Sequence, residues 1–295
     1  MSKKNLHFII NPISGTGKNK DILKKINKEI HSEIFNTHIH FTERANHATE
    51  IASKLCREKA DIIVAVGGDG TVNEVGQALV NKNCMMGIVP TGSGNGLARH
   101  LGIPQQVNKA LRLLNCLHAI KIDSCTANGH FFVNVSGIGY DGHISHCFSK
   151  EKKRGMKTYM KLILSKWWSY NIKRYQIEID GTCVFDDEAV QISFANGTQF
   201  GNNVVISPQS KTDDGLIELC IVKPFQFYEI PFLLLGLATH RFHLTKRMKI
   251  ISCAEATILT KNAKKHLDGE PKDLSDCLQL KVLPKSISII SKKLV

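Results

Sequence analysis

An alternation of short apolar runs and amphipathic segments fills the first 114 residues and constrains the fold more than any other feature. Each apolar run has the length of a buried strand, and each segment after it has apolar residues at helical spacing. The pairs are residues 6–10 with 22–30, 39–41 with 48–56, 61–66 with 72–80, and 87–89 with 97–114. Repeated strand–helix pairs are typical of a parallel sheet covered by helices, so this part is predicted to be an open α/β domain.

A different pattern begins near residue 119, where turn signals separate short apolar runs. The dipeptides Asn128-Gly129 and Asp180-Gly181 each lie between two such runs and favour the tight turn of a β-hairpin. The sequence therefore predicts an α/β domain at 1–118 and a β-rich domain at 119–295, with the last strand free to return to the first domain. Further strands are predicted at 190–194, 204–206, 216–222, 249–251, 257–260 and 278–282, and helices only at 156–169 and 226–238.

The chain carries a formal net charge of +13 at pH 7. This charge predicts attraction to a polyanion, which leaves nucleic acid, anionic phospholipid and a polyphosphate substrate open. The nine cysteines include no Cys-x-x-Cys pair, which favours reduced thiols in a cytosol. The longest apolar stretch, residues 225–238, is shorter than the roughly 20 residues that cross a bilayer. We expect a cytoplasmic protein that is soluble or peripheral to a membrane.

Three glycine-rich loops occur in the first 100 residues and are numbered here in chain order. The second glycine loop, Gly67-Gly68-Asp69-Gly70-Thr71, lies between the apolar run 61–66 and the helical segment 72–75. Glycines let backbone N–H groups approach an anion, and a helix N-terminus adds partial positive charge. Asp69 would repel a phosphate unless a divalent cation lay between them, so we assign Asp69 to a Mg²⁺–ATP complex. Taken alone, the loop fits an ordinary strand–helix turn equally well.

Two more glycine loops follow predicted strands. The third glycine loop, residues 90–96, precedes the helical segment 97–100, and its Ser93 and Asn95 supply side-chain donors and a candidate N-cap. The first glycine loop, residues 11–18, resembles a P-loop without its full spacing. Its polar side chains are Ser14, Thr16 and Lys18. Three such loops at the carboxyl ends of neighbouring strands predict a nucleotide site at one edge of the sheet.

Five motifs follow one another along nearly the whole chain in the order of a known family. They are Asn11-Pro-x-Ser-Gly, Gly-Gly-Asp-Gly-Thr-x-Asn-Glu at 67–74, Pro-x-Gly-Ser-Gly-Asn at 90–95, Lys211-Thr-Asp-Asp-Gly-Leu216, and His266-Leu-Asp-Gly-Glu-Pro271. The chain resembles the diacylglycerol kinase catalytic-domain family, which includes bacterial diacylglycerol and YegS-like lipid kinases, sphingosine kinases and ceramide kinases. The resemblance implies an N-terminal α/β domain similar to phosphofructokinases and NAD kinases, followed by an antiparallel β-sandwich.

The resemblance also implies roles for individual residues. Glu270 is expected to be the general base, and Asp268 to support it by hydrogen bonding or by ordering metal-bound water. A Mg²⁺ outside the ATP site is expected at the Asp214 carboxylate with the backbone of Lys211 and Leu216. Taken alone, both acidic segments fit ordinary turns. The residues expected to contact ATP are Thr42, Gly67, Gly68, Asp69, Gly70, Thr71 and Ser93, with Asn11 shaping the same pocket.

The activity implied is transfer of the γ-phosphate of ATP to a hydroxyl of diacylglycerol, a sphingoid base or a related lipid. The third glycine loop reads Gly92-Ser-Gly-Asn-Gly96, a form closer to sphingosine kinases than to many bacterial members, so the acceptor stays open. The alternatives are an NAD kinase, which shares Gly-Gly-Asp-Gly-Thr, and a noncatalytic nucleotide-binding or lipid-binding module. The motifs of nucleic-acid binders are missing from the sequence.

Two segments favour a membrane surface as partner. Basic residues of 150–166 alternate with apolar and aromatic ones, among them Trp167 and Trp168, and a second basic run at 240–249 follows the apolar segment 225–238. A core helix with a solvated charged face fits the second pattern equally well. We expect a lipid substrate at the membrane, attraction to anionic phospholipid, and a peripheral position at the inner membrane face. The sequence is compatible with a homodimer.

Overall fold

The computed structural model describes residues 3–14, 21–151 and 155–292, and the chain forms two compact units. Unit 1 comprises Met1–Asp123 and Pro284–Val295, and unit 2 comprises Ser124–Leu283. The second half of the first glycine loop, including the predicted residues Thr16 and Lys18, and the basic residues 152–154 lie outside the described residues.

Unit 1 contains a parallel sheet with strand order β2-β1-β3-β4. Strand β3 is buried along its whole length, because helices cover both faces of a parallel sheet. The strands are β1 (Lys4–Ile10), β2 (Phe35–Phe41), β3 (Ile62–Gly67) and β4 (Met85–Pro90), and the helices are α1 (Ile22–Glu29), α2 (His47–Arg57), α3 (Asp69–Leu79), α4 (Gly96–His100) and α5 (Val107–Leu114). The predicted open α/β architecture is confirmed.

The segment 97–114 was predicted as one helical stretch, and this prediction is wrong. Helix α4 ends at His100, and Gly102 follows in the left-handed conformation with φ +65°. The N–H of Gly102 bonds back to the Arg99 carbonyl at 3.1 Å, which closes the helix end. Pro104 follows two residues later and cannot donate the hydrogen bond that a continuous helix would need.

Unit 2 is built on two antiparallel sheets. The first has the order β12-β11-β10-β7-β14-β15, and the second pairs β9 with β8, β8 with β13, and β13 with β16. Two strands lie partly in unit 1, β5 (Ala119–Ala127) and β16 (Cys277–Ile290). The strands wholly in unit 2 are β6 (His130–Phe132), β7 (Val135–Gly139), β8 (Lys173–Ile179), β9 (Thr182–Ala189), β10 (Gln191–Ala195), β11 (Ile217–Val222), β12 (Met248–Cys253), β13 (Glu255–Thr260), β14 (Lys265–Leu267) and β15 (Glu270–Lys272).

Both predicted hairpins are confirmed. Asn128 and Gly129 join β5 to β6 with φ +49° and +77°, and Asp180 and Gly181 join β8 to β9 with φ +50° and +74°. Positive φ at both central residues is the type I′ geometry that these dipeptides favour. The predicted strand at 204–206 is wrong, because Val205 forms a single isolated bridge with Gln199.

The apolar faces of the two sheets of unit 2 pack on each other, which confirms the predicted β-sandwich. Ile138, Ile192 and Leu219 of one sheet share a core with Tyr175 and Ile258 of the other. Helices lie on the opposite face of the first sheet, namely α6 (Tyr140–Ser149), α7 (Met156–Lys166) and α8 (Ile230–Ala238). No helix within 3–14, 21–151 or 155–292 has both the length and the apolar character to span a bilayer.

Helix α6 was not predicted, so the expectation of only two helical regions in this half is wrong. Its sequence, Tyr-Asp-Gly-His-Ile-Ser-His-Cys-Phe-Ser, contains a glycine and few strong helix formers. Packing decides the structure here, because Tyr140 and Ile144 are buried in the core between the helices and the first sheet. Tertiary burial therefore outweighs weak local propensity.

Strand β16 belongs to both units. Its first residues pair with β13 in unit 2, and its last residues are part of unit 1. There Ser288 and Ile289 pair in parallel with Met85 and Met86 of β4. The end of the chain therefore extends the parallel sheet of unit 1 beyond β4.

Candidate active site

The second and third glycine loops contact each other in unit 1 through their glycines. A Cβ added at Gly92 would lie 2.6 Å from the Cα of Gly68, closer than real Cβ atoms approach. The carbonyl oxygen of Gly67 accepts the N–H groups of Thr91 at 2.8 Å and Gly92 at 3.3 Å. Glycine at position 92 therefore permits a backbone-to-backbone contact that joins the two loops.

The Asp69 carboxylate forms a second connection between these loops. Its Oδ2 accepts the N–H of Asn95 at 2.8 Å, and its Oδ1 accepts the N–H of Gly96 at 2.7 Å. Burial raises the pKa of Asp69 above its ordinary value, although the N–H groups of Gly96 and Asn95 act in the opposite direction. A carboxylate accepts about four hydrogen bonds, so these two leave Asp69 capacity for another partner.

Asn95 was a candidate N-cap for α4, and this prediction is wrong. Asn95 occupies the cap position with φ +52°, and its side chain makes no capping hydrogen bond. The amide instead donates to the Gly92 carbonyl at 2.9 Å and to Oε1 of Gln105 at 3.0 Å. The Asp69 carboxylate caps the helix instead, because its oxygens accept the N–H of Asn95 and the N–H of Gly96, the first residue of α4.

The described part of the first glycine loop lies at the same edge of the sheet. The side-chain amide of Asn11 donates to Oγ1 of Thr71 at 3.3 Å, and the hydroxyls of Ser14 and Thr91 lie 3.0 Å apart. Thr42, immediately after β2, donates its N–H to the Ile10 carbonyl at 2.9 Å. The three loops and Thr42 are thus connected by hydrogen bonds in unit 1.

The residues predicted to contact ATP therefore come together at one edge of unit 1. Helix α3 begins at Asp69, so its N-terminus lies at this edge, whereas the first N–H of α4 is already bound to the Asp69 carboxylate. Helix N-termini and adjacent backbone N–H groups favour anions. Ser93 is exposed, whereas Thr71 and Thr42 are buried. The ATP contacts themselves stay a prediction.

The predicted catalytic carboxylates lie on one hairpin of unit 2. Asp268 and Gly269, with φ +47° and +87°, form the turn between β14 and β15. The Asp268 carboxylate accepts the N–H of Val133 and the N–H of Asn134, both at 2.9 Å. Glu270 begins β15 and is exposed. Asp268 therefore fastens the turn to the chain before β7, and the base role of Glu270 stays a prediction.

The predicted Mg²⁺ segment forms an ordered bend at the start of β11. Oδ1 of Asp214 accepts the N–H of Leu216 at 3.0 Å, and both Lys211 and Asp214 are exposed. Glu218, buried nearby on β11, has a pKa raised first by burial and also by Asp214. Among the described residues no three His, Cys, Asp or Glu side chains form a metal cluster. One carboxylate with carbonyls and water is a donor set that suits Mg²⁺.

Asp141 is a buried acidic residue that the sequence analysis did not single out. It lies in the first turn of α6 and contacts His266, a residue quoted in a motif without a role. The available signal was an aspartate between Tyr140 and Gly142 at the end of an apolar run. Because α6 itself was not predicted, this signal had no structural context.

The fold and these loops define a class of protein: an α/β unit with joined glycine loops, combined with a β-sandwich unit. The comparisons identify the family within that class. A model described as "Diacylglycerol kinase catalytic domain" matches residues 5–127, and one described as "YegS C-terminal NAD kinase beta sandwich-like domain" matches residues 134–291. The chain belongs to the family of diacylglycerol kinases and YegS-like lipid kinases, and it is a kinase.

Individual relatives agree with this assignment. The diacylglycerol kinase of Bacillus subtilis (strain 168) is 30% identical over 226 residues, which cover 75% of this chain and 74% of the relative. A crystal structure of a diacylglycerol kinase from Bacillus anthracis str. Sterne has a TM-score of 0.75 at 24% identity, covering 99% of this chain and 98% of its own. An NAD kinase from Archaeoglobus fulgidus, in complex with ATP, has a TM-score of 0.58 at 13% identity, covering 98% and 94%. The two structures show the shared fold.

Proposed function

We propose that this protein transfers the γ-phosphoryl group of ATP to a hydroxyl of a membrane lipid such as diacylglycerol, a sphingoid base or a related lipid. The observation that carries the proposal is the hydrogen-bonded junction of three glycine loops in unit 1. A kinase must hold a triphosphate in one orientation, and loops fixed to one another meet that need. The family membership supports a lipid as the acceptor.

In this proposal the phosphates of ATP bind at the edge of unit 1 where α3 and α4 begin. Backbone N–H groups of the second glycine loop face the phosphates, and Ser93 offers an exposed hydroxyl. Thr42 and Asn11 shape the pocket at neighbouring strand ends. Asp69 holds the second and third glycine loops together, so it positions the donors as well as facing the cation.

Mg²⁺, when bound, would neutralise negative charge on the phosphates and orient them. The groups proposed to hold it are Asp69 at the nucleotide and, at a separate position, Asp214 with the carbonyls of Lys211 and Leu216. The exposed carboxylate of Asp214 fits a hard cation that keeps several waters.

The proposed proton acceptor is Glu270. It is exposed at the start of β15, where a lipid hydroxyl can reach it. Asp268 uses its two oxygens to hold the turn, which leaves Glu270 as the carboxylate of this pair suited to accept a proton.

The membrane contact is proposed for an apolar patch on unit 2. Trp167 stacks on Phe225 with ring centroids 4.6 Å apart, which brings the end of α7 next to the chain that leads into α8. The exposed basic residues Lys161 and Arg241 lie on or beside the same helices. The patch consists of large apolar side chains that are 57–73% exposed, Leu164, Trp168, Tyr228, Phe232, Leu235 and Leu244. Apolar side chains with basic neighbours fit an anionic lipid surface.

Docking through this patch would place the protein peripherally at the inner membrane face, in the cytoplasm. It would also bring the enzyme to its substrate, because diacylglycerol and sphingoid bases reside in membranes. A purely noncatalytic lipid-binding module would use the same patch without needing Glu270.

The test is transfer of labelled phosphate from [γ-³²P]ATP with Mg²⁺ to a total lipid extract, to purified diacylglycerol and sphingosine, and to NAD. The proposal expects a labelled lipid with wild-type protein and a strong loss of kcat in Glu270→Gln at unchanged ATP affinity. Labelled NADP would identify an NAD kinase. Absence of any labelled product despite ATP binding would identify a noncatalytic module.

A further inference from the structure

The imidazole of His266 contacts the turn that carries the proposed base. The N–H of Gly269 donates to Nδ1 of His266 at 3.1 Å, and His266 is only 3% exposed. A backbone N–H can only donate, so Nδ1 must present its lone pair and the ring proton must reside on Nε2. The contact therefore selects one tautomer of a buried histidine.

Asp141 lies on the other side of this ring. Its Oδ2 is 3.4 Å from Nε2 of His266, the nitrogen that carries the proton, and the Asp141 side chain is 5% exposed. Ser193 donates to the same Oδ2 at 3.1 Å, and the N–H of Gly142 donates to Oδ1 at 2.8 Å. These donors fix the carboxylate so that it favours the tautomer that Gly269 requires.

Helix α6 forms a second hydrogen bond with the same turn. The hydroxyl of Ser145 donates to the carbonyl of Gly269 at 2.7 Å, so the N–H and the carbonyl of Gly269 both have partners. The helix approaches β14 closely, because a Cβ on Gly142 would lie 2.1 Å from the Lys264 carbonyl oxygen. The residue before Glu270 is thus fixed from two directions.

Glycine also makes room for the carboxylate. A Cβ on Gly137 would lie 2.2 Å from Oδ2 of Asp141, a distance that no side chain tolerates. The strand β7 therefore leaves a space that the Asp141 side chain fills. A buried carboxylate, a buried imidazole and the turn form one connected set.

We propose that His266 is a positioning residue for the base at Glu270, and that Asp141 holds His266 in the tautomer that accepts the Gly269 N–H. The inference rests on the proposed function, since it concerns the orientation of the proposed base. His266 and Asp141 are buried and act through the turn. A displacement of about 1 Å in a catalytic group can lower turnover about 100-fold, so the orientation of this turn matters for rate.

Two amide variants separate the contacts of the two ring nitrogens. In His266→Asn the amide oxygen can replace Nδ1 and accept the Gly269 N–H. In His266→Gln the amide nitrogen can replace Nε2 and face Asp141, while the acceptor at Gly269 is lost. Both variants remove the ring, and Asn is one methylene shorter than Gln, so packing alone would make His266→Asn the less active of the two.

We expect His266→Gln to lower kcat at least about tenfold with KM for ATP and lipid within about twofold. His266→Asn is expected to recover most of that loss. A role in stability alone would lower the thermal midpoints of the variants and leave kcat per folded enzyme unchanged. That result, or equal kcat in the two variants, would overturn the inference.

A combination with Glu270→Gln tests whether His266 acts through the base. If it does, adding His266→Gln to Glu270→Gln causes no further loss of kcat, because a misplaced base and a missing base have the same effect. If the fold-loss of kcat in the double variant instead equals the product of the two single losses, His266 does not act through Glu270. Normal turnover in Glu270→Gln alone would instead refute the proposed base, which is a separate failure.

Ser145→Ala provides a milder variant if His266→Gln does not fold. It removes only the hydroxyl that donates to the Gly269 carbonyl and keeps the ring. A loss of kcat of about threefold or more at constant KM supports the inference, and unchanged kcat opposes it.

Discussion

The Oδ1 atom of Asp69 accepts the N–H of Gly96 at 2.7 Å, so a residue of the second glycine loop caps the helix that follows the third. The proposed cation-facing carboxylate is thereby also a structural cap. Loss of this carboxylate should therefore lower the stability of the protein even in the absence of nucleotide.

Asp69→Asn is expected to lower the free energy of unfolding by about 1–3 kcal/mol, because one N–H of the third glycine loop would face an amide NH₂ instead of an acceptor. Affinity for Mg²⁺–ATP should fall as well. Urea unfolding and calorimetric titration measure the two effects. Asp187→Asn, at an exposed position of β9, is the matched control, and identical unfolding curves for both variants would contradict the role of Asp69.

Gly92→Ala is expected to weaken ATP binding and stability more than Gly68→Ala. A Cβ at position 92 would meet the Gly68 Cα at 2.6 Å, whereas a Cβ at position 68 would meet the Gly92 Cα at 3.3 Å. Overpacking of this kind typically destabilises by about 1–3 kcal/mol. Differential scanning calorimetry with and without ATP and Mg²⁺ tests the order, and a larger effect of Gly68→Ala would refute it.

Asp214→Asn is expected to raise the Mg²⁺ concentration needed for half-maximal activity by about tenfold or more, because a charged ligand becomes neutral. Asp213→Asn is a matched control on the neighbouring exposed residue. Activity is measured at fixed ATP over a Mg²⁺ titration. Equal Mg²⁺ dependence of the two variants would remove the proposed site at Asp214.

Replacement of Trp168 and Phe232 by serine is expected to reduce binding to vesicles that contain anionic phosphatidylglycerol by about tenfold or more. These side chains are 73% and 72% exposed, and burying either one in the interface is favourable. Vesicle cosedimentation measures binding, with Leu23→Ser of α1 as an exposed apolar control. Unchanged vesicle binding of the double variant would refute the proposed role of the apolar patch in membrane contact.

Acid should destabilise unit 1 through His7. Burial, with smaller contributions from His38 and His40, lowers the pKa of His7 from 6.5 to about 4. Between these two pKa values the folded state therefore binds fewer protons than the unfolded state. The contribution of His7 to the free energy of unfolding is fully present above pH 6.5 and is lost as the pH drops towards 4. His7→Gln should lose less stability than wild type between pH 7 and pH 4.5, measured by urea unfolding. A loss of stability equal to that of the wild type would contradict the prediction. His31→Gln, at an exposed histidine, is the control.

The sequence predicted correctly the elements that depend on a few neighbouring residues. The type I′ dipeptides at 128–129 and 180–181 form hairpins, and the glycine loops follow β3 and β4 as expected. Helix α6 escaped prediction because burial of Tyr140 and Ile144, and not propensity, holds it. The domain boundary near residue 118 and the roles of the site residues stay predictions.

Contacts between distant residues could not be predicted from spacing alone. The motif containing Asp69 indicated a phosphate loop, yet its capping of α4 depends on how the second and third glycine loops pack. The contact of Asp141 with His266 joins residues far apart in the chain. A pattern read along the chain identifies side chains with suitable chemistry, whereas their partners are decided by the fold.

The return of β16 to β4 has a consequence for synthesis on the ribosome. Residues after Pro284 complete the sheet of unit 1, although the first 123 residues of that unit emerge much earlier. Until Ser288 and Ile289 have been synthesised, β4 lacks the neighbour that they provide, and its open edge can pair with other chains. A protein truncated after Leu283 should therefore aggregate, even though it retains every glycine loop and the acidic hairpin.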